Sequence, residues 1–364
     1  MGRHREGLGR DARLRRQNRI RQWGRQQGGW STMRRPACRI VCARMKSLLR
    51  RLYERVVPFL RRRAPLSRPP EAVVPRVPER WTQEQAIHEG RRIDYRLYVP
   101  PVPSGAQSPR SLVLMLHGCQ QDPLDFATGT GMNELARAHN VVLVYPEQKH
   151  AANSHGCWNW FKPNHQQRDR GEPAMLAGLT RAVMRAHDVD PARVYVAGLS
   201  AGGSMAAILA ECHADLFAAA GVHSGLPRGA ATDAIAALAV MRHGMKPLAG
   251  RVEGHAMIVF QGDADEVVHP DNGVAVVESA RGLDLMGGPP ARCVTGASAQ
   301  GRRYTRTCHP ATAMGGPVEH WELHGIGHAW SGGDARGSYT DPAGISASAE
   351  MLRFFLENPR RARA

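Results

Sequence analysis

The sequence predicts a doubly wound α/β fold on a mostly parallel sheet, and three observations carry that expectation. Short apolar runs with the length of buried strands recur between residues 92 and 357. Segments with helical spacing separate them, as in parallel strands joined by crossover helices. One strand-to-helix joint, Gly198-Leu199-Ser200-Ala201-Gly202, is compressed into a turn flanked by small residues.

Strands are expected at residues 92–98, 112–116, 141–144, 193–197, 218–223, 256–260 and 319–323, and helices at 131–139, 173–187 and 346–357. The run Val194-Tyr195-Val196-Ala197 enters the turn at Ser200, and a helical segment leaves it from Gly203 to Cys212. That is the outline of a nucleophile elbow, which lifts a serine clear of a sheet. A serine hydroxyl is a weak nucleophile and needs a base and nearby amide donors. The run ending at Leu116 leads into His117-Gly118-Cys119-Gln120, which suits an oxyanion loop. The oxyanion donors are therefore assigned to the amides of Cys119 and of Ala201, the residue after the nucleophile. His117 is read as a structural brace for that loop.

The strand at 256–260 delivers Gly262-Asp263-Ala264-Asp265, and carboxylates there suit the acid that orients a catalytic histidine. The alternating strand at 319–323 runs into His324-Gly325-Ile326-Gly327-His328-Ala329-Trp330. His324 ends the strand and should pack or cap, whereas His328 sits between small residues with freedom to reach the serine. The order Ser200, Asp265, His328 is that of the α/β-hydrolase fold. A triad of this kind needs no cofactor and no metal. Trp160 and Trp330 are expected to wall the substrate pocket, and Trp321 to be core. Residues 225–254 precede the acid strand and carry a helix capped by Thr232 or Asp233, either a lid or, more simply, a crossover helix. Residues 287–316 read as a loop or hairpin.

The strings Leu116-His117-Gly118-Cys119-Gln120-Gln121, Tyr145-Pro146-Glu147-Gln148, Cys157-Trp158-Asn159-Trp160-Phe161, Gly198 to Gly203, Gly262 to Asp265 and Gly325 to Trp330 resemble the poly(3-hydroxybutyrate) depolymerase family of esterases. Feruloyl and acetylxylan esterases are relatives in that group. The resemblance covers about residues 81 to 357. It implies serine-dependent ester hydrolysis, on a polyester or a carbohydrate ester. It also favours Asp265 over Asp263, because the Gly-x-x-Asp-x-x-Val spacing from Gly262 to Val268 is similar to the family's acid loop. A non-catalytic, surface-binding protein of hydrolase-like fold is the rival reading. A nucleotide-binding oxidoreductase is set aside, since no Gly-x-Gly-x-x-Gly follows the first strand.

Charge divides the chain. Residues 1–80 hold 23 Lys and Arg against 5 Asp and Glu, whereas the other 284 residues hold 26 against 27. Four parts follow: a basic leader at 1–44 expected to be disordered, a basic amphipathic helix and Pro-rich linker at 45–80, the catalytic domain at 81–357, and a basic tail at 358–364. Met45 is an alternative start. Leu48, Leu49, Leu52, Val56 and Leu60 share one helical face within residues 45–63, a pattern for an anionic membrane or granule surface. Nucleic acid is not the expected partner. No secretory signal or membrane-spanning run is evident, which points to the cytoplasm, while the family resemblance favours an exported protein. Of seven cysteines, Cys119 and Cys157 are expected within bridging reach, and Cys293 with Cys308 could staple a hairpin.

Overall fold

The computed structural model describes residues 79–101, 110–247, 253–282 and 289–360. The expectations for the leader, the amphipathic helix and nearly all of the linker lie outside the described residues. The strands are β1 Arg80–His88, β2 Arg91–Val99, β3 Arg110–Leu116, β4 Val141–Pro146, β5 Val189–Leu199, β6 Ala219–His223, β7 Met257–Gly262, β8 Arg292–Ala297, β9 Arg303–His309 and β10 Val318–Leu323, with a small pair, β11 Trp330–Ser331 and β12 Thr340–Asp341. The α-helices are α1 Pro123–Thr130, α2 Met132–His139, α3 Gly171–Ala186, α4 Ala201–Cys212, α5 Ala234–His243, α6 Pro270–Arg281 and α7 Ala347–Glu357.

The main sheet runs β1-β2-β4-β3-β5-β6-β7-β10-β9-β8. Its centre, from β4 to β10, is parallel, and antiparallel hairpins extend both edges. Side chains alternate between two cores. Leu112, Leu114, Leu116, Val194 and Val196 join one core with α3 and α4, whereas Val113, Met115, Tyr195 and Ala197 join the other with α7. Both sheet faces are therefore covered, which is why the central strands read as continuous apolar runs. Helix starts follow local chemistry: Asp233 accepts the Ala236 amide at 2.9 Å and Ser346 the Ala349 amide at 3.2 Å.

The chain passes from β3 outward to β4 and then back across β3 to β5. The carboxyl ends of β3 and β5 thus flank a topological switch point, where a crevice opens in such sheets. The loop bearing Cys119 and the Ser200 turn follow those two ends.

One expectation is overturned here: the hairpin at β8 and β9 forms, but Cys293 lies opposite Thr307 while Cys308 lies opposite Arg292. That one-residue offset turns the two thiols to opposite faces, and both are free. β1 pairs along its whole length with β2, from Arg80 opposite Val99 to His88 opposite Arg91. The Arg360 amide donates to Ala192 O at 2.8 Å. Among the described residues no helix is long and apolar enough to cross a membrane.

Candidate active site

Ser200 sits between β5 and α4 with φ 57° and ψ −118°, a conformation that non-glycine residues rarely adopt. It is held from both sides. Its amide donates to His223 O at 2.9 Å, and its carbonyl accepts the Ser204 amide at 2.9 Å. The turn closes this tightly only without side chains at its two glycines. A Cβ on Gly202 would run into the carbonyl oxygens of Leu116 and His117, and one on Gly198 into the backbone of Gly202. Ala201 is the first residue of α4, so its amide is among the donors that lack an acceptor within the helix.

The loop after β3 is braced from several directions. The Gly118 amide donates to Gln121 Oε1 at 2.9 Å. His117 donates from Nδ1 to Gly118 O at 2.8 Å and accepts the Gln148 amide on Nε2 at 3.1 Å, so it is a neutral strut. Burial lowers its pKa, against the pull of the Gly118 carbonyl. Cys119 and Cys157 form a disulfide with their Cα atoms 4.3 Å apart, as expected. The bridge joins the loop after β3 to the segment carrying Trp158 and Trp160. Buried Glu172 fixes that segment, accepting from Gln148 Nε2 at 2.6 Å, Asn159 Nδ2 at 2.7 Å and the Asn159 amide at 2.7 Å.

Asp265 and His328 meet as the sequence predicts, with His328 Nδ1 donating to Asp265 Oδ2 at 2.8 Å. The other carboxylate oxygen accepts the amides of Val267 and Val268 at 2.9 and 2.8 Å, and Gln261 Nε2 donates to Oδ2 at 3.3 Å. Burial alone would raise the Asp265 pKa. The bonds from His328 and the two amides outweigh it and hold the carboxyl below its usual range. Asp263 instead takes His324 Nδ1 at 2.9 Å and the Gly325 amide at 2.6 Å, in a separate and more exposed pair.

A residue absent from the sequence reading lies beneath this pair. His223, at the end of β6, is fully buried and stacks on Phe260 and Trp330, with ring centroids 5.7 and 5.3 Å away. Its Nε2 accepts the Ser331 amide at 3.1 Å, so its Nδ1 proton points to Ser224 Oγ, also at 3.1 Å. Burial, reinforced electrostatically by the neighbouring His328 imidazole, pushes its pKa down to about 3. The signal that would have found it is Ser331, three residues past His328, whose amide needs an acceptor once β11 is buried.

A cavity of about 650 Å³ opens beside Ser200 and Ala201. Cys119, Trp160, Phe161, Leu238 and Met241 are among its walls, and Trp160 meets Phe161 edge to face. Residues of α5 thus line the cavity while also forming the β6-to-β7 connection, so the crossover and the covering element are one helix. Trp160 stands where expected. Trp330 does not: it is 1% exposed, donates to Ser348 Oγ at 3.0 Å and packs on Phe126 and His223. Pairing of β11 with β12 turns it into the core and away from the cavity.

Residues 93–286 match the family model described as Esterase PHB depolymerase. The chain belongs to that family. Among curated relatives of this PHB depolymerase-family chain are the poly(3-hydroxyalkanoate) depolymerase C of Paucimonas lemoignei, 34% identical over 49% of this chain and 46% of that protein, and the poly(3-hydroxybutyrate) depolymerase of Ralstonia pickettii, 31% identical over 43% and 34%. Feruloyl esterase B of Thermothelomyces thermophilus is 29% identical over 36% of this chain and 45% of its own. The chain thus matches less than half the length of these three relatives. The acetyl xylan esterase of Aspergillus awamori has the same α/β-hydrolase fold, with a TM-score of 0.57 at 18% identity over 75% of this chain and 98% of that one.

Proposed function

We propose that this chain is a serine esterase of the poly(3-hydroxybutyrate) depolymerase type, with Ser200 as nucleophile, His328 as base and Asp265 as its orienting acid. The hydrogen bond from His328 Nδ1 to Asp265, 2.8 Å long, carries the reading. With Nδ1 committed to the carboxylate, Nε2 is the nitrogen that takes the Ser200 proton as Oγ attacks the ester carbonyl. The amides of Cys119 and Ala201 receive the oxyanion. His328 returns the proton to the leaving alcohol, and water activated by the same nitrogen then releases the acid from Ser200.

The largely apolar walls of the cavity support a short aliphatic acyl group, as in a polyester of 3-hydroxy acids. A carbohydrate ester is the second reading, favoured by the likeness to feruloyl esterase B and to acetylxylan esterases. Ser200→Ala should lower turnover of p-nitrophenyl butanoate by at least ~10³-fold without unfolding the protein. Unchanged turnover would overturn the triad and support the non-catalytic rival. Release of soluble acids from amorphous poly(3-hydroxybutyrate), measured beside acetylated and feruloylated xylan, separates the two substrate classes.

The Cys119–Cys157 bridge supports an exported, oxidising location. The basic segment 45–63 is proposed to attach the enzyme to an anionic surface, granule or membrane. Replacing Arg61, Arg62 and Arg63 with Glu in the full chain should weaken salt-sensitive binding to anionic vesicles and leave soluble-ester turnover unchanged. Undiminished vesicle binding would refute the attachment.

A further inference from the structure

The cavity beside Ser200 is walled by residues such as Trp160, Phe161, Leu238 and Met241, and none of His328, Gln120 and Tyr339 lines it. The Tyr339 ring stands instead against His328, centroids 6.4 Å apart and planes 77° to one another. Tyr339 is 41% exposed, yet it is fixed in place. Its carbonyl accepts the Trp330 amide at 2.7 Å, and its hydroxyl donates to Gln120 Oε1 at 3.1 Å.

Both partners of that hydroxyl bond are non-glycine residues in the left-handed region, Gln120 at φ 62° and Tyr339 at φ 52°. Strained residues of this kind persist only where the surroundings over-determine them, and they gather at functional sites. Here the surroundings do so. Gln121 accepts the Gly118 amide and donates to Ser338 O at 3.2 Å, while the Ser338 amide donates to Asp125 Oδ1 at 2.8 Å. The segment bearing Tyr339 is thus pinned to the loop bearing Cys119.

Acyl transfer dictates which half of an ester faces His328. His328 must hand its proton to the departing alkoxide as the bond between it and the carbonyl carbon breaks, so the alcohol oxygen lies next to His328. The acyl chain then extends away, into the cavity. Resting on the esterase reading above, we propose that Tyr339, steadied by Gln120, determines specificity for the leaving alcohol. Its exposed ring is the platform for an alcohol with an extended carbon skeleton, such as the next hydroxyacyl unit of a polyester, in preference to methanol.

The test uses the full chain and two esters of one acid, methyl butanoate and the butanoyl ester of methyl 3-hydroxybutanoate. Tyr339→Ala should lower kcat/KM for the extended ester about tenfold and for methyl butanoate less than about threefold. Deacylation, read as the steady rate after a p-nitrophenyl butanoate burst, should stay unchanged, because the acyl-enzyme no longer contains the alcohol. Unchanged deacylation also reports an intact fold. Tyr339→Phe should lose only part of the preference, and Gln120→Ala should resemble it. An equal fall on both esters with slowed deacylation and a shifted pH profile would make Tyr339 a positioning residue for His328 and overturn the proposal. No change on either ester would overturn it too. If the wild-type chain cleaves none of these esters, it is the esterase reading that fails.

Discussion

Two histidine–aspartate pairs, His324 with Asp263 and His328 with Asp265, stand side by side on the loops after β10 and β7, joined through the same atoms at 2.9 and 2.8 Å. Their surroundings differ. The Asp263 side chain is 50% exposed and that of Asp265 is fully buried. His324 Nε2 is already engaged with Thr305 Oγ1 at 2.9 Å. His328 Nε2 has no protein partner among the described residues. Asp265 receives two loop amides on its second oxygen, which keep it ionised inside the protein, whereas solvent helps do the same for Asp263. In the proposed mechanism, a hydrogen-bonded pair is therefore not enough to make a base. What matters is a free outer nitrogen on the imidazole and a carboxylate that remains charged where water is excluded.

Exchanging each acid for its amide separates the two pairs. Asp265→Asn should cost on the order of 10⁴-fold in kcat, because Asn no longer enforces the tautomer that leaves Nε2 basic. Asp263→Asn should stay within about threefold. Turnover of a soluble butanoate ester by both variants decides it, and the reverse ranking would move the acid to Asp263. Stability should rank them the same way. Loss of an exposed pair costs about 0–1 kcal/mol. At Asp265 the amides of Val267 and Val268 and the imidazole lose a charged acceptor, for about 2–3 kcal/mol. Urea unfolding at neutral pH reads both, and equal losses would mean that burial does not separate the pairs.

Much of this arrangement was legible because it is local. The elbow is a contiguous string, and Gly198 and Gly202 are needed there by the close approach of α4 to β5 and the end of β3. Asp265 and His328 each follow an apolar strand, so the parallel sheet brings them to one edge. What escaped the sequence depends on contacts across long separations. Trp330 is near His328 in sequence, yet β11 pairs with β12 and turns it inward. Cys293 and Cys308 looked bridgeable by spacing, and a one-residue register offset parts them. The α6 helix went unseen because His269 and Pro270 open it with a cap and no apolar period. His223 carries no local signal, since its acceptor role is defined by Ser331, 108 residues away.

His223 supplies the last contrast, between a histidine that must titrate and one that must not. Ser331 donates to its Nε2 and its ring lies between Phe260 and Trp330, so protonation would put a second proton where an acceptor is needed. Its pKa is about 3 in the folded chain, against 6.5 ordinarily. Between those values the unfolded chain binds a proton that the native chain refuses. Stability therefore falls as pH drops below about 6.5, at up to about 1.4 kcal/mol per pH unit. His223→Gln keeps an acceptor for Ser331 and removes this titration. From pH 7 to pH 5 the variant should lose about 2 kcal/mol less stability than the wild-type chain. His117 and His320, also buried and lowered, contribute the same slope to both proteins and cancel. Chemical unfolding at the two pH values measures the difference, and parallel losses would show that His223 is protonated in the fold after all.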